Sequence, residues 1–139
     1  FVLKSHEKYK NKEKYKMSAE KVMEVRATNV NCSQSVLGGF CEECGITMDQ
    51  ALKLGAPFGA GARCGELCGA VAGGLMALGL MKSPAGRDAG FDAIVKEYTA
   101  KFTEKYGYLR CQDLKANKVS CNELIYFAGQ AVEEIAAEK

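Results

Sequence analysis

The chain has 139 residues, 47% of them hydrophobic and 26% charged, with two Pro and a net charge of +2 at pH 7. One folded domain with a real core is the expectation, and disorder throughout is excluded. The charge is uneven: residues 1–16 hold six Lys against Glu7 and Glu13, a local +4, and the −2 left on residues 17–139 excludes a basic nucleic-acid surface there.

Residues 1–16 (FVLKSHEKYKNKEKYK) contain no apolar run of leader length and no small-residue cleavage site. They are expected to be an expression-derived, readthrough or disordered basic tail, with a native basic arm as the alternative. Met17 followed by Ser18 looks like a natural start. Residues 17–139 are then a single helical domain. Without a leader the expected location is the cytoplasm, a reducing compartment where seven cysteines point to metal binding or redox work rather than to structural disulfides.

Helical periodicity runs along the chain, while strand alternation and Asn-Gly or Asp-Gly hairpin turns are missing. A short amphipathic piece covers Ser18 to Arg26. Asn31, with Gln34 three residues on, has the form of a capping box and predicts a helix running to Cys44, stopped by Gly45. Thr47 to Leu54 is a further short helix ended by Gly55 and Pro57. The segment GAPFGAGAR (55–63) is a loop by composition. It resembles a phosphate loop only superficially: no strand precedes it, no Lys-Ser or Lys-Thr follows, and the third glycine of a dinucleotide fingerprint is missing.

A helix is expected from Arg63 to about Met81. Its uncharged stretch, Leu67 to Met81, is 15 residues long, short of the roughly 18 to 20 that cross a bilayer, so it reads as a buried helix and not a membrane span. Asp88 or Gly90 to Tyr106 is amphipathic, with Phe91, Ile94, Val95, Tyr98 and Phe102 on one face. The connector YGYLRCQDLKANKV carries Cys111. Ser120 with Glu123 forms a second capping box, opening a final helix through Leu124, Ile125, Phe127, Ala128, Ala131, Val132 and Ile135. The expected fold is all-α: a compact bundle of about five helices around a glycine-rich central helix.

Gly61, Gly65, Gly69 and Gly73 recur every four residues and Ala77 continues the row, so one stripe of the expected helix is nearly bare. Each interior glycine costs roughly 1 kcal/mol against alanine, and something must approach closely to recover it. A cofactor against Gly65, Gly69 and Gly73 is one candidate; tight helix packing, including across a homodimer axis, is the other.

Cys64 and Cys68 stand four apart and would share a helix face. Cys32 follows Asn31 and Cys121 follows Ser120, which puts both at first helical positions, and Cys64 falls in an expected first turn. Unpaired N–H groups and the positive helix end favour thiolate at such places, suiting a reactive thiol or a metal ligand. Cys41 and Cys44 form C-E-E-C near a helix C-terminus, flanked by Glu42 and Glu43, where thiolate is disfavoured; they read as accessory. No His follows them, so this is not a haem attachment site. The one His is His6, which leaves Cys-His and Ser-His catalysis and His-based zinc sites without a partner in the domain.

Cys68-Gly69-Ala70-Val71-Ala72-Gly73, with Cys32 upstream, Cys111 and Cys121 downstream and FGAGARCGE as a glycine-rich lead-in, resembles the C_GCAxxG_C_C family of redox-active proteins. The likeness runs from about Asn31 to the C-terminus. It implies that Cys32, Cys68, Cys111 and Cys121 are the functional quartet, with Cys41, Cys44 and Cys64 as departures and Cys64 as an extra candidate ligand. The family's relation to part of the split-Soret cytochromes, which carry an iron–sulfur site, implies an iron–sulfur centre; four thiolates are the usual ligand count for one. The leading expectation is electron transfer with a redox partner protein. The alternatives are a metal-free dithiol/disulfide oxidoreductase or redox sensor, and a structural zinc or partner-binding helical bundle.

Overall fold

The computed structural model describes residues 18–138, which form eight α-helices and no strand. The expectations for the basic tail, Met17 and His6 lie outside the described residues. Helix α1 spans residues 18–26, followed by α2 (Cys32–Gly39), α3 (Cys41–Cys44), α4 (Met48–Gly55), α5 (Gly69–Lys82), α6 (Ala89–Tyr106), α7 (Cys111–Ala116) and α8 (Cys121–Ala137). None of the described helices is long and apolar enough to cross a membrane.

Eight helices stand where about five were expected, because two segments break differently. The helix expected to run from Cys32 to Cys44 divides at Phe40 into α2 and α3, and the connector holding Cys111 folds one and a half turns of its own, α7. C-E-E-C is therefore a one-turn helix in itself, with Gly45 closing it in the left-handed conformation at φ +73°.

The capping box predicted at Asn31 forms. Asn31 Oδ1 accepts from Gln34 N at 2.9 Å, and Gln34 Oε1 accepts from Asn31 N at 2.9 Å. The same two side chains bolt α2 to the end of α4: Asn31 Nδ2 donates to Ala56 O at 3.1 Å and Gln34 Nε2 to Leu52 O at 2.9 Å. A second box, Thr47 with Gln50, opens α4. At α8 only half of the expected box is made. Ser120 caps the Glu123 N–H, and the Glu123 side chain does not return a bond to the Ser120 N–H.

Helix α5 packs against α2, α3, α6 and α8. Its N-terminal half is backbone and methyl groups, with Gly69, Ala70, Val71, Ala72, Gly73 and Gly74 all buried. A Cβ on Gly73 would lie 2.7 Å from Ser33 O, and one on Gly74 would overlap the Tyr98 hydroxyl. Gly73 lets the α2 backbone approach and Gly74 admits the Tyr98 side chain of α6, which offsets their propensity cost with dispersion contacts. The fully buried Tyr98 uses that space to donate from Oη to Ala70 O at 3.2 Å. It stacks edge-on with Phe102, and Phe102 with Phe127, at centroid separations of 5.2 and 4.9 Å. Val36, Leu37, Phe40, Leu78, Leu114, Ile125 and Val132 complete the core.

The start of α5 corrects the expected helix from Arg63. Ala60, Gly61, Ala62 and Arg63 all lie at φ between +52° and +62°, and Gly65 at +75°. A right-handed helix cannot pass through such residues. Gly61 and Gly65 are thus turn residues, and the bare stripe on α5 is shortened to Gly69, Gly73 and Ala77. Gly61 has no substitute: besides its positive φ, a Cβ there would sit 2.5 Å from the Glu66 backbone and 2.8 Å from Cys111 Cβ.

Candidate functional site

Four of the seven cysteines share a cavity. Cys32, Cys68, Cys111 and Cys121 line one cavity of about 150 Å³ together with Arg26, Asn31, Ala60, Leu114, Lys115, Val119 and Leu124. Each thiol comes from the start of a different helix: Cys32 is the first residue of α2, Cys111 of α7 and Cys121 of α8, while Cys68 is the N-cap of α5. The apolar stripes of α5 and α8 fix their crossing, the Asn31 box fixes α2, and the helix starts converge as a result.

A short backbone clip places two of the thiols side by side. Leu67 and Arg110 form an isolated antiparallel bridge, in which Cys68 N donates to Leu109 O at 2.8 Å and Cys111 N to Glu66 O at 2.6 Å. Arg110 reinforces it with an ion pair to Glu66 at 3.3 Å. On the opposite wall, Arg26 joins the approach to Cys32 to the start of α8. Its Nη1 donates to Val30 O at 2.6 Å and its Nε to Asn122 Oδ1 at 3.0 Å.

The two clipped thiols are the buried ones, at 4% exposure for Cys68 and 9% for Cys111; Cys32 and Cys121 are half-buried. Burial pushes Cys68 up to about 11. The N–H groups of Ala70 and Val71 pull it down, without closing into full capping hydrogen bonds, and the neighbouring Cys32 and Cys111 add to the rise. Cys111 is also raised by burial, with Lys115 opposing and Cys121 and Cys32 reinforcing. The four sulfurs are therefore electrostatic neighbours, and a bound cation would reverse the balance at Cys68 and Cys111. Among the described residues no three His, Cys, Asp or Glu side chains stand close enough together to hold a single metal ion.

Cys64 departs from its expected place. It lies outside α5 at φ −128°, exposed, with its Sγ 3.4 Å from Gly61 O, so it shares no helix face with Cys68. Gly65, Gly69 and Gly73 do not line the cavity. Gly65 faces Gln112, Gly73 faces Ser33 and Val36, and a Cβ on Gly69 would overlap Cys32 Sγ itself. The bare stripe is thus spent on α2 within the chain, with Gly69 making the room that Cys32 occupies. Cys41 and Cys44 lie elsewhere, against the other end of α5, where Cys44 Sγ donates to Ala77 O at 3.6 Å.

Three features of the site escape the sequence reading: the helix that carries Cys111, the clip between residues 66–68 and 109–111, and the two cations on the lining. Leu114 and Lys115, three and four residues after Cys111, were the available helical signal.

Fold and site together define an all-helical cysteine protein with a thiol-lined internal cavity. The family model described as "Putative redox-active protein (C_GCAxxG_C_C)" matches residues 30–135, and the chain belongs to that family. No curated protein and no solved structure is similar enough to match.

Proposed function

We propose that this member of the redox-active family binds an iron–sulfur cluster through Cys32, Cys68, Cys111 and Cys121 and passes electrons to a redox partner protein. The observation that carries the reading is the convergence of four thiols, each from a separate helix start, on one cavity. The donor set suits the group: four thiolates are the usual ligands of [2Fe–2S] and [4Fe–4S] centres. Bound there, a cluster would supply one-electron transfer. The chain's own contribution is electrostatic. The starts of α2, α5 and α8, with Arg26 and Lys115, offset the negative charge of the thiolates, and the apolar wall of Leu114, Val119 and Leu124 limits water.

The half-buried state of Cys32 and Cys121 favours a second reading, in which one attacks a disulfide and the other resolves it without metal. Iron and acid-labile sulfide per chain, with the visible spectrum, measured on protein prepared and reconstituted without oxygen, separate the two. Both elements with charge-transfer bands support the cluster. Protein that holds neither, and cannot be reconstituted, moves the function to thiol chemistry.

A further inference from the structure

The cavity carries a charge pattern beyond what gathering four thiols requires. Its lining has two cations, Arg26 and Lys115, and no carboxylate. The nearby acidic groups stand off the lining: Glu66 and Asp113 face Arg110, and Glu123 is an exposed side chain. Arg26 is held by Val30 and Asn122 and serves as a wall. Lys115 differs. It is exposed, stands one turn after Cys111 on the same side of α7, and makes no ion pair among the described residues. An unpaired ammonium at the mouth of a low-dielectric pocket without carboxylates raises the local concentration of anions.

We propose that the cavity selects small anionic thiol-reactive molecules over neutral ones, with Lys115 as the residue that sets the preference. The inference rests on the four cysteines forming one thiol site and concerns that cavity while no cluster occupies it. It assigns to α7 a second duty besides positioning Cys111, that of screening what reaches the sulfurs. Neutral molecules of the same size gain nothing from the ammonium, so the preference is one of charge and not of fit.

Iodoacetate and iodoacetamide test it, since each forms one S–C bond to the thiolate and releases iodide, and they differ in charge. Their rate ratio at a given cysteine cancels the thiolate fraction. The full chain, reduced and freed of any iron by a chelator, is alkylated with each reagent and every cysteine is followed by peptide mass spectrometry. Cys64, exposed and off the lining, is the internal reference, and a demanding one because Arg63 adjoins it. The expected iodoacetate preference at Cys32 and Cys121 exceeds that at Cys64 by on the order of three- to tenfold. It falls toward the Cys64 value in Lys115→Gln, where Arg26 alone remains on the lining, and persists in Lys115→Arg. A wild-type ratio equal to that of Cys64, a ratio unmoved by Lys115→Gln, or a quartet inert to both reagents in the folded protein would each overturn the proposal. Iron and sulfide are assayed on the same preparation before chelation, so a metal-free protein that still shows the preference sinks the cluster reading alone.

Discussion

The two ends of α5 each meet cysteines, and they surround them with opposite charge. At the N-terminal end four thiols share a cavity with two cations and no carboxylate. At the C-terminal end Cys41 and Cys44 sit on a one-turn helix with Glu42 and Glu43 between them, and Glu43 is held beside them by Ser18 Oγ at 2.6 Å. Burial first, then Glu43 and Cys41, pushes Cys44 up to about 12. Cys41 also stands at a helix start, but α3 is four residues long and acidic, so its dipole is small and opposed. Burial is the first cause at both Cys68 and Cys44, and the surroundings differ in what they add: helix-start N–H groups pull Cys68 down, while Glu43 pushes Cys44 further up.

The largest expected difference between the regions is in reactivity. A thiol raised from 9.0 to about 12 presents on the order of a thousandfold less thiolate at neutral pH. Cys44 should therefore resist alkylation until the pH is strongly alkaline; rapid labelling at pH 7 would break the comparison. The same shift makes a stability prediction. Because the folded pKa lies above the unfolded one, the stabilising effect is complete below about pH 9 and is lost as pH rises toward 12. Denaturant midpoints of metal-free protein should fall across that window, and less steeply in Cys44→Ala.

Glycines sharpen the contrast next. Gly69→Ala drives a methyl into Cys32 Sγ and to 2.9 Å from Phe58 O, at an expected cost of about 2–4 kcal/mol. Gly45→Ala, beside the other pair, meets nothing within 4 Å and carries only its φ of +73°, for about 1 kcal/mol. Equal losses in chemical denaturation would mean that α2 and α5 do not meet as described. The smallest effect expected is at the clip. Glu66→Gln removes an exposed ion pair with Arg110, and its cost should stay below about 1 kcal/mol with the backbone bridge left to hold Cys68 against Cys111.

Much of this was legible in the residues, unevenly. Asn31 and Gln34 announced their helix because a capping box is a local device, written in side chains three apart. Cys32, Cys68, Cys111 and Cys121 came together through the family resemblance, and helix starts could be assigned in advance only at Cys32 and Cys121. The four-residue glycine period misled at its beginning: Gly61 and Gly65 keep the register of a helix but serve positive-φ turns, and spacing alone does not distinguish the two uses. Lys115 and Arg26 were invisible as site residues because their place on the lining depends on how α1, α7 and α8 pack, which is long-range information.

The most direct test of the shared thiol site is bound iron and sulfide per chain across the seven single Cys→Ser variants, prepared anaerobically and checked for folding by circular dichroism. A loss of at least tenfold, roughly, is expected for Cys32, Cys68, Cys111 and Cys121, as when one member of a four-thiolate set is removed, with retention for Cys41, Cys44 and Cys64. Loss concentrated at Cys41 and Cys44, or a wild type that binds neither element, would contradict that expectation.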